Sequence, residues 1–204
     1  MKIKITAIAA LAASFAVAAT AASAAPAAAP AQATPTGPII PGLCVLNQAQ
    51  MVHDSAVGKW VITRLGQLKS QVDAELNSEA TTLQNDEKTF EAGRASMTQD
   101  QMQKQGGALG ARERALQQKA QLRNQELEAT QEKAIGVIGQ SSSPIITTIA
   151  TQRSCSVLLN GTAVMAAAPS MDITSSVVQQ LDAKIQTFAF DREHLDTQAG
   201  APAR

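Results

Sequence analysis

The chain has 204 residues, with 17 basic and 17 acidic side chains and only 2% aromatic residues. This charge balance gives no electrostatic footprint for a nucleic acid. The scarcity of aromatic side chains disfavours a broad globular core and suits an elongated helical protein with a narrow buried seam.

The N-terminus reads as a secretory signal over 1–24. Lys2 and Lys4 form a basic start, Ile5 to Val17 an apolar stretch, and Ala22-Ser23-Ala24 a small-residue cleavage site. The apolar stretch is short for a membrane span of about 20 residues. With no other long apolar run, the mature protein is expected to be soluble. Taking Lys2 and Lys4 from the 17 basic side chains leaves 15 against 17 acidic ones, a mature net charge of −2. Residues 25–41, rich in Ala, Pro, Thr and Gln, form a disordered leader by composition. Residues 187–204 are expected to be a flexible tail. About 150 residues then remain for folding, enough for one domain.

Leu43-Cys44-Val45-Leu46 reads as a buried strand after Pro41-Gly42. Asp54 or Ser55 then caps a helix. From Val57, apolar residues recur at steps of three, four and seven: Val61, Leu65, Leu68, Val72, Leu76, Leu83 and Phe90. Ile62, Leu76, Leu83, Phe90 and Met97 share one seven-residue column. This period predicts a helix of roughly 35 residues, about 50 Å long. Gly93 to Gln101 breaks it, and Thr98-Gln99-Asp100-Gln101 fits a capping box that starts a second helix. Met102, Leu109, Leu116, Ala120, Leu127, Ala134 and Ile138 carry the second period. Two helices of similar length joined by a short turn predict an antiparallel hairpin arm over 57–144. Its seam is thin, because Glu79, Asp86 and Gly93 take positions where a tight coiled coil wants apolar residues, and Gly106, Gly107 and Gly110 weaken the return helix.

Pro144, preceded by three serines, ends or kinks the second helix. Ile145, Ile146 and Ile149 suggest one more helical stretch. Cys155 to Leu159 and Ala163 to Ala166 read as two strands joined through Asn160-Gly161, a type I′ turn dipeptide. Asn160-Gly161-Thr162 also matches a glycosylation sequon, for which the turn is the better account. Thr174 is the expected N-cap of a short final helix through Val177, Val178, Leu181 and Ile185. Residues 42–56 and 145–186 therefore make a body of short strands and helices, too small to bury much surface alone and expected to need oligomerisation. The fold class is mainly α, with a long coiled-coil-like hairpin protruding from a short-stranded, oligomeric β body. Cys44 and Cys155 both fall in strand-like segments of an exported chain, and a disulfide between them is favoured over two buried thiols.

No catalytic, cofactor-binding or metal-binding pattern emerges. His53 and His194 have no Cys or acidic neighbour at metal-ligand spacing, no Gly-rich phosphate loop follows a strand, and no nucleophile elbow is present. Glu75, Glu79, Asp86 and Glu87 read as a solvated helix face. Arg112, Arg114, Lys119 and Arg123, interrupted by Glu113 and without aromatics, read as surface.

Two stretches carry a family resemblance. Cys44-Val45-Leu46-Asn47 followed by Gly58-Lys59 is similar to the first strand and arm entry of the Skp/OmpH periplasmic chaperones of Gram-negative bacteria. Val157-Leu158-Leu159-Asn160 through Ala163-Val164, then Met171-Asp172-Ile173-Thr174, Val177-Val178 and Leu181, resembles that family's closing strands and final helix. The resemblance spans about 42–182; in the arms it rests on period alone. It implies a periplasmic homotrimer with a shared β body and three helical tentacles, acting without ATP as a holdase for unfolded outer-membrane β-barrel proteins. Familiar members are strongly basic and this mature chain is not, which weakens any carry-over of membrane-surface or lipopolysaccharide contact.

For such a holdase the client-contact candidates are the inward faces of the arm: Leu76, Leu83, Phe90, Met97, Met102, Leu109 and Leu116. The same residues can instead serve only to hold the two helices of one hairpin together, the default use of a seven-residue stripe. The alternative function is a structural or tethering coiled coil of the envelope, which predicts no effect on aggregation and calls for an anchor; no lipidatable Cys follows the signal.

Overall fold

A computed structural model describes residues 37–195 of the chain. The expected signal, most of the expected leader and the last nine residues of the expected tail lie outside that range. The elements are β1 (Leu43–Leu46), α1 (Gln48–Asp54), α2 (Ala56–Gly93), α3 (Gln99–Gln152), β2 (Val157–Asn160) and α4 (Thr174–Lys184).

The arm is the antiparallel pair α2 and α3. α2 has 38 residues and α3 has 54, about 57 and 81 Å at the usual rise. A short 3-10 turn, Arg94–Ser96, joins them. The capping box forms as the sequence predicts: Gln101 N donates to Thr98 Oγ1 at 3.3 Å and Thr98 N donates to Gln101 Oε1 at 2.9 Å. α3 is longer than expected because Pro144 does not end it. The proline cannot donate to the preceding turn, but Ile145 and Ile149 are buried just beyond it and hold the helix in the body core. Lys184 Nζ donates to the Ser141 carbonyl at 3.3 Å, so α4 supplies a donor in the turn the proline loosens. Arm and body are thus not separate blocks. One core cluster contains Cys44, Leu46, Met51, Val57, Val61, Ala134, Ile138, Ile145, Ile149, Ile173, Val177 and Leu181, so the arm's root is the body's interior.

The body differs from the expected hairpin of strands. β1 and β2 form a two-stranded parallel sheet with Leu43 opposite Val157 and Leu46 opposite Asn160. A parallel pair needs a long crossover, and here the whole arm provides it. Residues 163–166 are not a return strand, and Asn160-Gly161 is not a type I′ turn. Asn160 has φ −73°, and its side chain accepts from Thr162 N to start a 3-10 turn. Gly161 presses on the start of α1: a β-carbon there would lie 2.9 Å from Asn47 Cβ and 3.0 Å from its Cα. Glycine is present for close approach rather than for a positive φ. Among the described residues β2 pairs only with β1, leaving Val157, Leu158 and Leu159 at 49%, 39% and 37% exposure.

The Asp172-Ile173-Thr174 segment clasps the other side of β1. Ile173 N donates to the Val45 carbonyl at 2.9 Å, and Thr174 Oγ1 accepts from Asn47 N at 2.9 Å. Thr174 is therefore the first residue of α4 and not its cap; Asp172 Oδ1 accepts from Thr174 N at 2.7 Å instead. Asp182 on α4 accepts from Ala56 N at 2.7 Å, which satisfies an orphan amide at the start of α2. Ser55 caps α2 by accepting from Gly58 N. Gly58 sits so close to α1 that a β-carbon would fall 1.6 Å from the Val52 carbonyl oxygen. Gly58→Ala should lower unfolding stability by about 3 kcal/mol, read as a drop in urea midpoint, because backbone must move to admit the methyl group.

Cys44 and Cys155 form a disulfide, with Cα atoms 5.6 Å apart and a sequence separation of 111. It ties β1 to the chain entering β2 and closes a loop that contains the whole arm. Replacing both cysteines by serine should remove about 3–5 kcal/mol through the freed unfolded chain. Equal urea midpoints for the double-serine and oxidised proteins would refute this.

Candidate functional site

The arm carries a ladder of charge where the sequence shows gaps in the apolar seam. Asp86 meets Arg112 at 2.5 Å, and Glu79 meets Lys119. Lys119 Nζ also lies 2.6 Å from Glu75 Oε1. These acids are not the simple solvated face expected of them, nor are Arg112, Lys119 and Arg123 independent surface cations. Asp86–Arg112 and Glu79–Lys119 pair across the hairpin at seven-residue spacing, and Glu75 joins Lys119 and Arg123 one turn nearer the root. Each rung is partly exposed, so it sets register more than it adds stability.

At the arm's root the ladder becomes a buried knot. Glu126 is fully buried on α3. Its Oε2 lies 2.8 Å from Arg123 Nη1 and 3.2 Å from Arg192 Nε. Arg123 Nη2 and Arg192 Nη1 reach Glu75 at 3.3 and 3.4 Å. The hydrogen bond from Lys119, then that from Arg123, hold the Glu75 carboxyl at about 2, against the usual 4.5, although burial works the other way. Burial works to lower the Arg123 pKa, but Glu75 and Glu126 outweigh it and raise it; Glu75 and then Glu79 raise that of Lys119.

Arg192 belongs to the segment expected to be a flexible tail. Residues 187–195 instead run as a strap along the arm's root. Phe188 and Phe190 pack against the core cluster, their ring centroids 5.2 Å apart. Trp60 Nε1 donates to the Phe188 carbonyl at 2.9 Å, and Arg64 Nε to that of Phe190 at 3.2 Å. Glu193 N donates to Thr130 Oγ1 at 2.9 Å, and Leu195 N to Glu126 Oε1 at 3.3 Å. Sequence reasoning missed this strap and the knot. The one available signal was two phenylalanines, in a chain nearly devoid of aromatics, followed by an arginine.

Of the seven seam candidates, Leu83 is buried, and Leu76, Phe90, Met97, Met102, Leu109 and Leu116 are half-buried. Three of them meet across the hairpin: Leu83 and Leu116 border one cleft of about 340 Å3, and the Phe90 ring lies over Gly106. Between Leu83 and Glu126 no residue is buried at all. Among the described residues no cluster of three His, Cys, Asp or Glu side chains could hold a metal, and no helix is long and apolar enough to cross a membrane.

The class of protein is thus a long helical hairpin on a small body, with no buried residue in the distal half of the arm. The family model for outer membrane protein (OmpH-like) matches residues 42–181. A crystal structure from Caulobacter crescentus CB15, described as a candidate outer membrane chaperone (OmpH-like), is 44% identical. It covers 79% of this chain and 96% of its own, with a TM-score of 0.75. No curated protein gives a significant match. The chain belongs to the OmpH-like family, a family of chaperones rather than enzymes.

The Glu75 cluster makes acid sensitivity directional. A carboxyl held at about 2 in the fold, against 4.5 for the free group, contributes stability that is fully present above about pH 4.5. That contribution is lost as pH falls toward 2. Glu75 is partly solvated, so its share is on the order of 1 kcal/mol. By circular dichroism, Glu75→Gln should show a flatter fall in melting temperature between pH 4.5 and pH 2 than the parent protein.

Proposed function

We propose that the protein is an ATP-independent periplasmic holdase that receives unfolded outer-membrane β-barrel proteins between the arms of an oligomer. The observation that carries this reading is the distal arm. From Leu83 out to the turn and back to Glu126 the hairpin buries nothing, yet it presents half-buried Leu, Phe and Met side chains along its length. Such a surface offers many weak, adaptable contacts, as a chaperone needs when it must hold diverse chains and let them go without fuel. Methionine suits this use, being flexible and polarizable. A catalytic site needs groups fixed within fractions of an ångström, and this arm is built the opposite way.

Family membership and the relative described as a candidate outer membrane chaperone support outer-membrane proteins as clients. The expected signal and the disulfide both support the periplasm. The apolar, half-exposed strand β2 supports assembly through the body, since an open edge of this kind is a template for another chain. The resemblance to Skp-like chaperones points to three subunits. Membrane-surface contact finds little support, because Arg112, Lys119 and Arg123 are already paired with acids of the same hairpin.

The decisive variant replaces residues 84–115 by a short glycine-rich loop, which removes the distal arm and no buried residue. Light scattering should give three times the subunit mass for both parent and variant. The parent should keep a urea-unfolded β-barrel protein soluble on dilution, and the variant should lose most of that capacity. A shortened protein that still holds the client, or a parent that is monomeric, would sink this reading.

A further inference from the structure

The strap lies outside the family match, which ends at residue 181. Its attachment has an unusual chemistry. Four of its bonds to the arm are made by main-chain groups: the carbonyls of Phe188 and Phe190 and the amides of Glu193 and Leu195. The partners are side chains of both arm helices, Trp60 and Arg64 on α2 and Thr130 and Glu126 on α3. The bonded carbonyls at 188 and 190 are two residues apart, as are the bonded amides at 193 and 195, the repeat of an extended chain. Among the strap's side chains, Phe188 and Phe190 make apolar contacts and Arg192 is seated between Glu75 and Glu126, while Asp191 and Glu193 form ion pairs with Arg64 and Lys133 at the exposed rim, at 2.6 and 2.7 Å.

Main-chain hydrogen bonds carry no sequence information, and pockets for alternate side chains supply what selectivity there is; this is how extended peptides are recognised generally. Because ion pairs at an exposed rim contribute little, the hairpin root asks chiefly for an extended segment with two apolar residues two apart and a cation two residues further on. Nor is the surface filled by the strap. A cleft of about 260 Å3 remains open beside it between Leu68, Val72, Glu75 and Arg192.

We propose that this face of the root, formed by Trp60, Arg64, Glu75, Glu126 and Thr130, is a peptide-binding groove for an extended segment of an unfolded client, and that the chain's own residues 187–195 are its resident occupant, displaced when a client binds. The inference rests on the chaperone reading and names a second contact surface for it. A transmembrane β-strand carries apolar residues two apart on its lipid face and tolerates a charge on that face where the apolar band ends, so the end of such a strand offers the required pattern. The strap is tethered, at an effective concentration on the order of millimolar. Isolated weak segments fail against that competitor, and a long client engaging several sites succeeds. The strap would thus set a threshold that favours long unfolded chains over short peptides.

The test uses the intact protein. Amide hydrogen exchange is followed by mass spectrometry with and without a urea-unfolded outer-membrane β-barrel protein, and light scattering of the same samples reports aggregation. Client binding should speed exchange across residues 188–195 by about tenfold or more, as local opening exposes the strap amides. Suppressed aggregation with unchanged strap exchange overturns the groove and leaves the chaperone reading standing; unsuppressed aggregation overturns that reading instead. A second arm probes the groove without any client. A labelled synthetic peptide of residues 186–195 should bind Arg192→Gln, whose own strap is loosened, about tenfold more tightly than the parent. Equal binding to both, with helicity intact, also overturns the proposal.

Discussion

Two short segments, Leu43–Leu46 and Val157–Asn160, must meet before anything else in this molecule can hold. They are separated by the entire arm, so their pairing bears the loop-closure entropy of a connection more than a hundred residues long. Several independent contacts offset it. The disulfide joins the two chains at one end of the sheet, and Ile173 N bonds β1 from its other side. Thr174 Oγ1 fixes Asn47, and Gly161 lets the end of β2 pack against that same residue. Asn47 is thus gripped from both later segments, and its side chain in turn caps α1. The asparagine at the end of β1 connects strand pairing to the direction in which the arm departs.

From that closure outward, the packing thins along the arm. At the root, Val57, Val61, Ala134 and Ile138 belong to the body core. Further out come Leu68, Val72 and Leu83, then nothing buried. Charged rungs take over at the same point, with Glu79 and Asp86 facing Lys119 and Arg112. Replacing apolar seam positions by exposed ion pairs keeps the helices in register while contributing little cohesion. The distal arm is expected to open and splay at low cost and the root to resist it. On the proposed holdase reading, a surface that adapts to a client and a base that persists would come from one continuous pair of helices.

The sequence-level signals succeeded where a pattern was local. The seven-residue period, the Thr98-Gln101 capping box and the short turn between the helices are all carried by neighbours in the chain. The failures have a common cause, dependence on distant partners. Asn160-Gly161 reads as a hairpin turn until Asn47 is placed against Gly161. Thr174 reads as a cap until its hydroxyl is found accepting from Asn47 N. Pro144 reads equally as a helix end or a kink until Ile145 and Ile149 are seen buried in the core beyond it. The acids of α2 and the bases of α3 look like two solvated faces, because the hairpin register that pairs them is invisible to either helix alone. The client-contact role of the seam leucines was an inference from period and family, and half-burial is compatible with both seam and surface use.

The knot at Glu126 shows how the strap enters the same logic. On α3, positions 112, 119, 126 and 133 form a seven-residue column of Arg, Lys, Glu and Lys. The opposing α2 column runs Asp86, Glu79, Val72, Leu65. The acid–base pairing of the ladder therefore stops where α2 turns apolar, and Glu126 is left buried with no α2 cation in its rung. A buried carboxylate without compensation is costly. Arg123 on its own helix supplies one partner, and Arg192 supplies the second from outside the hairpin. Whatever segment lies in the groove must bring that cation, or leave Glu126 with Arg123 alone. The charge pattern of the arm thus selects its occupant. In the proposed groove a client would therefore need this cation as well as the length to displace the tethered strap.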